Sequence, residues 1–135
     1  MIPVHDPWGN EVAKVARRFN REPKYLYPNG ISIRSFLFNF HRVKKEVAES
    51  GQVMIVEGPL DSMSCHQIGV PSVAAFGSSL TAAQAIQLYA YGIKLAVLWF
   101  DWDEAGQIGA ARTKRLLQSL GISATIAHPS KIGMT

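Results

Sequence analysis

Short apolar runs alternate with segments of helical spacing through the second half of the chain. The runs have the length and composition of buried strands, and they fall at 53–56, 72–76, 94–100 and 123–127. The segments between them predict helices over 61–68, 81–92 and 104–120. Strands and helices that alternate at this spacing indicate an α/β fold with a mainly parallel sheet of about four strands, flanked by helices.

The first 50 residues follow a different pattern. Extended segments at 2–5 and 11–19 flank a turn signal around Pro7 and Gly9, which indicates a short β-rich region at the start of the chain. Residues 32–50 are predicted to form a helix that stops at Gly51. A length of 135 residues fits one domain, or one domain with part of a neighbour.

Basic residues are concentrated in this front part. Residues 1–50 hold nine of the 14 Lys and Arg residues and five of the ten Asp and Glu residues, which leaves this part at +4 and the remainder neutral. A basic segment beside an acidic site suits a polyanion that also meets a divalent metal. An ordinary solvated surface is the alternative explanation of the same charge.

The acidic residues of the second half are not scattered. Residues 51–135 contain five carboxylates, and all of them follow the first or the third predicted strand: Glu57, Asp61, Asp101, Asp103 and Glu104. Open α/β sheets bind their ligands at the carboxyl ends of the strands, and neighbouring strands would bring these groups to one edge. The placement therefore predicts a metal site or a phosphate-handling site.

The residue types at these two strand ends suggest particular roles. Asp101 and Asp103 are two residues apart and offer the oxygen ligands that Mg²⁺ or Mn²⁺ prefers. Glu57 could complete the metal ligands or serve as a general base. Gly106 would allow a backbone or a phosphate to approach closely. Asp61 lies in the first turn of a helix, where the helix dipole favours a carboxylate without any chemistry, and the same holds for Glu104.

Four further features bear on the core, the function or the cellular context. Gly77 and Ser78 follow the second predicted strand, where they could bind a phosphate or simply turn the chain. Trp99 is expected in the core. Cys65 is the single cysteine, which excludes an internal disulfide and a multi-cysteine zinc site. No apolar run is long enough to cross a bilayer and no secretory signal is visible, so a cytoplasmic location is expected.

Three segments taken together resemble the Toprim signature. They are Glu57-Gly58-x-x-Asp61, then Phe76-Gly77-Ser78, then Asp101-x-Asp103-x-Ala105-Gly106. The family includes bacterial-type primases, topoisomerases and some nucleases, and the detail most resembles DnaG-like primases and phage primase-helicases. The resemblance implies a Rossmann-like Toprim fold, with Glu57, Asp61, Asp101 and Asp103 as catalytic residues and Mg²⁺ or Mn²⁺ as the cofactor.

The front of the chain resembles the last part of the basic subdomain that precedes Toprim in these primases. The matching elements are Ile2-Pro3, Asp6, Gly9, Arg17-Arg18 and Pro23-Lys24-Tyr25-Leu26. The resemblance implies a boundary between residues 1–30 and a Toprim domain over 31–135. It also implies that Arg17, Arg18 and Lys24, with Gly77, Ser78 and Gly106, contact nucleic acid or nucleotide phosphates. The implied partners are single-stranded DNA, nucleoside triphosphates and a replicative helicase.

The chain also departs from the primase pattern, which keeps other functions open. It has no zinc-binding module, the basic subdomain is present only from its later portion, and residues 128–133 lack the further acidic segment of the family. A Toprim nuclease would use the same carboxylates, but it would not account for residues 23–26. A haloacid-dehalogenase-like phosphatase is the second alternative. That family has its Asp-x-Asp motif near the first strand, whereas here the strand before Glu57 comes first and Asp101-x-Asp103 follows a later one. A non-catalytic nucleic-acid-binding module is the third alternative.

Overall fold

The computed structural model describes residues 1–19, 25–27 and 32–127. Lys24 and residues 128–133, for which we made predictions above, lie outside these ranges. The strands of the front part are β1 (Ile2–His5), β2 (Glu11–Arg17) and β3 (Tyr25–Leu26). After a short 3-10 helix (Ile33–Ser35), the remaining elements are α1 (Phe40–Ser50), β4 (Gln52–Val56), α2 (Pro59–Gln67), β5 (Ser72–Ala74), α3 (Ala82–Ala90), β6 (Leu95–Trp99), α4 (Glu104–Ser119) and β7 (Ser123–Ile126).

The last four strands form one parallel sheet in the order β5–β4–β6–β7. The first strand along the chain, β4, therefore lies in the middle, paired with β5 on one side and with β6 on the other. Val56 at the end of β4 is opposite Trp99 at the end of β6, so both strands finish at the same edge. The predicted α/β fold with about four parallel strands and flanking helices is confirmed.

Alternating side chains place a hydrophobic core on each face of this sheet. On one face, Ile55 and Leu98 pack with residues of α1, α3 and α4, including Phe40, Leu88 and Leu117. On the other face, one core joins the sheet to the front of the chain and contains Val4, Val15, Val56, Ala74 and Phe76. The antiparallel sheet β1–β2–β3 is thus packed against the parallel sheet near the ends of β4 and β5. This places Arg17, at the end of β2, close to the acidic edge.

Two predictions about the core and its helices were wrong in detail. The helix expected over 32–50 begins only at Phe40, because Asn39 adopts the left-handed conformation with φ 72 and interrupts the chain's helical path. The Asn39 side chain donates a hydrogen bond to the Ser72 carbonyl, which ties this kink to β5. Trp99 is only half-buried, because its sheet face is incompletely covered there.

Among the described helices, none has the length and apolar character that a membrane crossing requires.

Two glycines bring α4 into direct contact with neighbouring backbone. A Cβ atom on Gly106 would lie 1.8 Å from the carbonyl oxygen of Asp101, and one on Gly109 would lie 1.6 Å from that of Ser78. No side chain fits at such distances, so the helix could not pack here with alanine at either position. The absence of a side chain at Gly106, which we attributed to a close backbone or phosphate approach, is explained by this backbone contact.

Replacing Gly109 with Ala should destabilise the protein by about 3 kcal/mol, because the added methyl group overlaps the Ser78 carbonyl. In an unobstructed helix the same substitution would stabilise by about 1 kcal/mol. Urea unfolding measures the difference. The control is Gln118→Ala on the exposed side of the same helix, for which a change within about 0.5 kcal/mol is expected. A Gly109→Ala protein as stable as the wild type would contradict the packing described here.

Candidate active site

The predicted meeting of the two acidic strand ends is confirmed. Glu57 directly follows β4, Asp101 lies just beyond β6, and these two strands are paired in the sheet. The backbone N–H of Asp101 donates a hydrogen bond of 2.6 Å to Oε2 of Glu57. The carboxylate of Glu57 is therefore held against the turn that carries Asp101.

Asp61 and Asp103 occupy the starts of the two helices that follow these strands. Asp61 lies in the first turn of α2, where its Oδ2 accepts a long hydrogen bond of 3.4 Å from the Gly58 N–H. Asp103 is the N-cap residue of α4, and its Oδ1 accepts a hydrogen bond of 2.7 Å from the Gly106 N–H. One oxygen of Asp103 thus stabilises the helix end, a role that does not depend on any metal.

A cavity of about 300 Å³ lies between the acidic edge of the parallel sheet and the front sheet. Its lining residues are Arg17, Tyr25, Tyr27, Glu57, Gly58, Leu60, Asp61, Gly77 and Asp101. The structure therefore brings together five of the residues that the sequence singled out. Arg18, Ser78, Asp103 and Gly106 are not among those that line this cavity.

The carboxylates of this cavity influence one another. Burial raises the pKa of Glu57, and the negative charges of Asp101, Asp103 and Asp61 raise it further, against the opposing hydrogen bond from the Asp101 amide. Ionisation of Glu57 therefore costs free energy, and a nearby cation would lower that cost. The site is thus suited electrostatically to a divalent ion.

The donor set fits a metal that keeps several water or substrate oxygen ligands. Within the described ranges, no group of three or more His, Cys, Asp or Glu side chains is arranged to bind a metal ion. The groups nearest the strand ends are carboxylates, which are hard oxygen donors. Mg²⁺ is commonly bound by one or two carboxylates together with substrate phosphates and water, so it does not require a larger set of protein ligands.

Aromatic residues of the front part complete the cavity wall, and sequence analysis did not assign them a role. The guanidinium of Arg17 lies 4.9 Å from the centroid of the Tyr25 ring and 5.2 Å from that of Phe19. The rings of Tyr25 and Tyr27 are nearly parallel, with centroids 6.3 Å apart. The sequence contained one signal for this pair: Tyr25 and Tyr27 are two residues apart in an extended segment, and that spacing directs both side chains to the same face.

Arg34 was also missed, and its side chain packs on Gly77. A Cβ atom on Gly77 would lie 3.1 Å from the Cζ of Arg34, so the guanidinium packs directly on this turn and donates a hydrogen bond to the Ser79 carbonyl. The preceding residue, Phe76, has φ 62, a strained conformation for a bulky side chain. The turn after β5 is therefore fixed by Arg34 from outside and exposes Gly77 to the cavity.

Comparison with known proteins agrees with this arrangement. The sequence model of the Toprim-like family matches residues 54–132, which is more than half of the chain. The chain belongs to the Toprim-like family.

Its relatives among characterised proteins include DNA primases. The chain is 36% identical to the DNA primase of Enterococcus faecalis over 129 residues, which cover 87% of this chain and 20% of that protein. The Aquifex aeolicus primase, in a crystal structure of its zinc-binding and RNA polymerase domains, superposes with a TM-score of 0.82 at 28% identity. That match covers 94% of this chain and 33% of the other. The chain thus spans about a fifth of the length of the curated relatives it matches.

A second structural match includes nucleic acid. The RNA polymerase domain of Mycobacterium tuberculosis primase DnaG, in complex with double-stranded DNA, has a TM-score of 0.74 and is 26% identical. The match covers 93% of this chain and 44% of that domain. The similarity extends over both sheets described above, since it takes in nearly all of the chain.

Replacing Glu57 with Gln should stabilise the metal-free protein at neutral pH. The pKa of Glu57 lies above its ordinary value of 4.5 in the folded state, so its contribution to stability falls as the pH rises through that raised pKa. Gln keeps an oxygen for the Asp101 amide and carries no charge. The melting temperature of the variant in EDTA should therefore exceed that of the wild type by an amount that grows as the pH rises above the ordinary pKa of 4.5 and levels off once the pH has passed the raised pKa.

The exposed residue Glu49 supplies the control for this comparison, as Glu49→Gln. Its melting temperature should follow that of the wild type across the range. A difference between Glu57→Gln and wild type that stays constant with pH would show that the carboxylate is not destabilised by its surroundings.

Proposed function

We propose that this chain carries the catalytic-core site of a DNA primase, which synthesises RNA primers from nucleoside triphosphates on single-stranded DNA. The observation that carries the proposal is the joining of Glu57 to the Asp101 turn at the ends of paired parallel strands. It occurs in a chain related over 87% of its length to a DNA primase. The proposed enzyme is therefore a nucleotidyltransferase that acts in the cytoplasm together with a replicative helicase.

In this proposal residues 1–30 are the end of a basic subdomain and residues 31–135 are the Toprim domain. Arg17, Arg18 and Lys24 contact phosphates of the template or of the nucleotide. The position of Arg17 in the cavity wall supports this role, as does the net charge of +4 in residues 1–50. The DNA complex of the related mycobacterial domain supports nucleic acid as the partner.

The acidic residues have different roles in the proposed reaction. Asp101 and Asp103 would ligate Mg²⁺ or Mn²⁺, with Asp103 using the oxygen that does not cap α4. A divalent ion held there would supply positive charge for the transferring phosphoryl group. Glu57 either ligates the ion or accepts the proton of the attacking hydroxyl, a task for which its raised pKa is suited. Asp61 adds negative charge at the rim of the same cavity.

The residues of the turns position the nucleotide. Gly77 leaves the cavity wall without a side chain, so a phosphate can approach the turn at Gly77, while the carbonyl of the next residue, Ser78, packs against α4. The buried N–H of Gly106 at the start of α4 already donates to Asp103, so Gly106 acts by fixing that carboxylate. Substrate orientation then depends on the same turns that fix the acids, which is how phosphoryl-transfer sites lower their barriers.

Asp101→Asn should reduce primer synthesis by about a hundredfold or more, because it removes charge that faces the metal and the triphosphate. The assay combines the protein, single-stranded DNA, ribonucleotides and Mn²⁺, and separates short RNA products from cleaved DNA. Glu49→Gln on the exposed side of α1 is the control and should leave the rate unchanged. DNA cleavage without RNA synthesis would replace the proposal with a nuclease, and DNA binding without either product would indicate a non-catalytic module.

A further inference from the structure

The start of α2 lacks the side-chain cap that most helices have. Gly58 precedes the helix and carries no side chain, whereas the first N–H groups of a helix need acceptors outside it. One acceptor comes from the front sheet: the N–H of Leu60 donates a hydrogen bond of 3.3 Å to the hydroxyl oxygen of Tyr25. A residue 35 positions earlier in the chain therefore supplies a cap for this helix.

The contact is close enough to fix the position of the tyrosine. A Cβ atom on Gly58 would lie 2.8 Å from the hydroxyl oxygen of Tyr25 and 3.0 Å from its Cε2 atom. The Tyr25 ring thus occupies the space that a side chain at position 58 would take. Gly58 is flanked by Glu57, and Asp61 follows in the same turn, so Tyr25 touches the segment that carries two of the cavity's carboxylates.

The other contact of the ring involves positive charge. The guanidinium of Arg17 lies 4.9 Å from the Tyr25 centroid, within the range of a cation–π interaction, and Arg17 lines the same cavity as Asp101. Tyr27 stacks on Tyr25 and restricts its ring further. Burial raises the pKa of Tyr25, so its hydroxyl stays protonated at neutral pH while a lone pair of the oxygen accepts from Leu60.

We infer that Tyr25 is a positioning residue that serves the acidic and the basic halves of the site separately. Its hydroxyl orients the first turn of α2, and through it Glu57 and Asp61. Its ring holds the Arg17 guanidinium at the cavity wall, where a triphosphate would meet it. This inference rests on the proposed function for the identity of the ligands. It predicts that loss of the hydroxyl weakens metal binding and that loss of the ring weakens binding of the triphosphate.

Two variants separate these roles. Tyr25→Phe keeps the ring and removes the hydroxyl, whereas Tyr25→Leu removes both. Tyr89→Phe, on the exposed side of α3, is the matched control. The measurements are Mn²⁺ binding to the protein without nucleotide, and the binding of a fluorescent ribonucleoside triphosphate at saturating Mn²⁺ over a series of salt concentrations.

Tyr25→Phe should weaken Mn²⁺ binding by about tenfold, the lower end of what residues supporting metal ligands contribute, and should leave the salt dependence of triphosphate binding unchanged. Tyr25→Leu should show the same loss of Mn²⁺ affinity and in addition bind the triphosphate about tenfold more weakly, with a reduced salt slope. Tyr89→Phe should match the wild type in both measurements. A tyrosine with only a structural role would instead lower the melting temperature and leave both affinities as they are.

The outcomes that overturn the inference differ from those that overturn the proposed function. Wild-type affinity for Mn²⁺ in Tyr25→Phe, in a folded protein, overturns the role of the hydroxyl. Equal losses of triphosphate binding and salt slope in the Phe and Leu variants overturn the separate role of the ring. Absence of Mn²⁺ and triphosphate binding in the wild type itself overturns the proposed function, and this inference with it.

Discussion

The parallel pairing of β4 with β6 determines where every acidic group of the site lies, because both strands end at one edge and their next residues are neighbours. The hydrogen bond from the Asp101 N–H to Glu57 continues this pairing one step beyond the sheet, from backbone to side chain. Burial of Ile55 and Leu98 on one face and of Val56 on the other fixes the register that makes the contact possible. The apolar core therefore sets the geometry of the charged edge.

Charge of one sign on this edge has to be balanced by charge of the other sign nearby. Asp61, Asp101 and Asp103 disfavour ionisation of Glu57, and such repulsion lowers the stability of the protein without its ligand. Arg17 projects from the front sheet into the same cavity, where it lies on the aromatic ring of Tyr25. The metal–triphosphate ligand of the proposed function, with both a cation and anionic oxygens, would complement the acidic wall and the wall that carries Arg17.

The parts of this structure that sequence could predict are those set by local patterns. Apolar runs predicted the four strands of the parallel sheet, and the spacing of Thr81 and Gln84 is that of a capping box, which the structure shows at the start of α3. The late start of α1 was not predictable, because Asn39 adopts its left-handed conformation while bonding to Ser72 of a distant strand. The acids were found because they follow strands directly.

The residues that sequence analysis missed act across the two sheets. Arg34 rests on Gly77, and Tyr25 rests on Gly58, so each pairs a large side chain with a glycine more than 30 residues away. Such pairs have no periodicity within one segment and become visible only once the sheets are packed together. The glycines were visible in the sequence, but the side chains that pack on them could not be identified from it.

The contacts of α4 with Asp101 and Ser78 have a consequence for how the site adapts to ligands of different size. Neither contact leaves room for one methyl group, so α4 is packed directly against the turns after β5 and β6, and we expect the three to move together. One wall of the cavity is therefore stiff. Any widening needed for a larger base or a second nucleotide has to come from the opposite wall, where Arg17, Tyr25 and Tyr27 belong to the small front sheet and its adjoining segment.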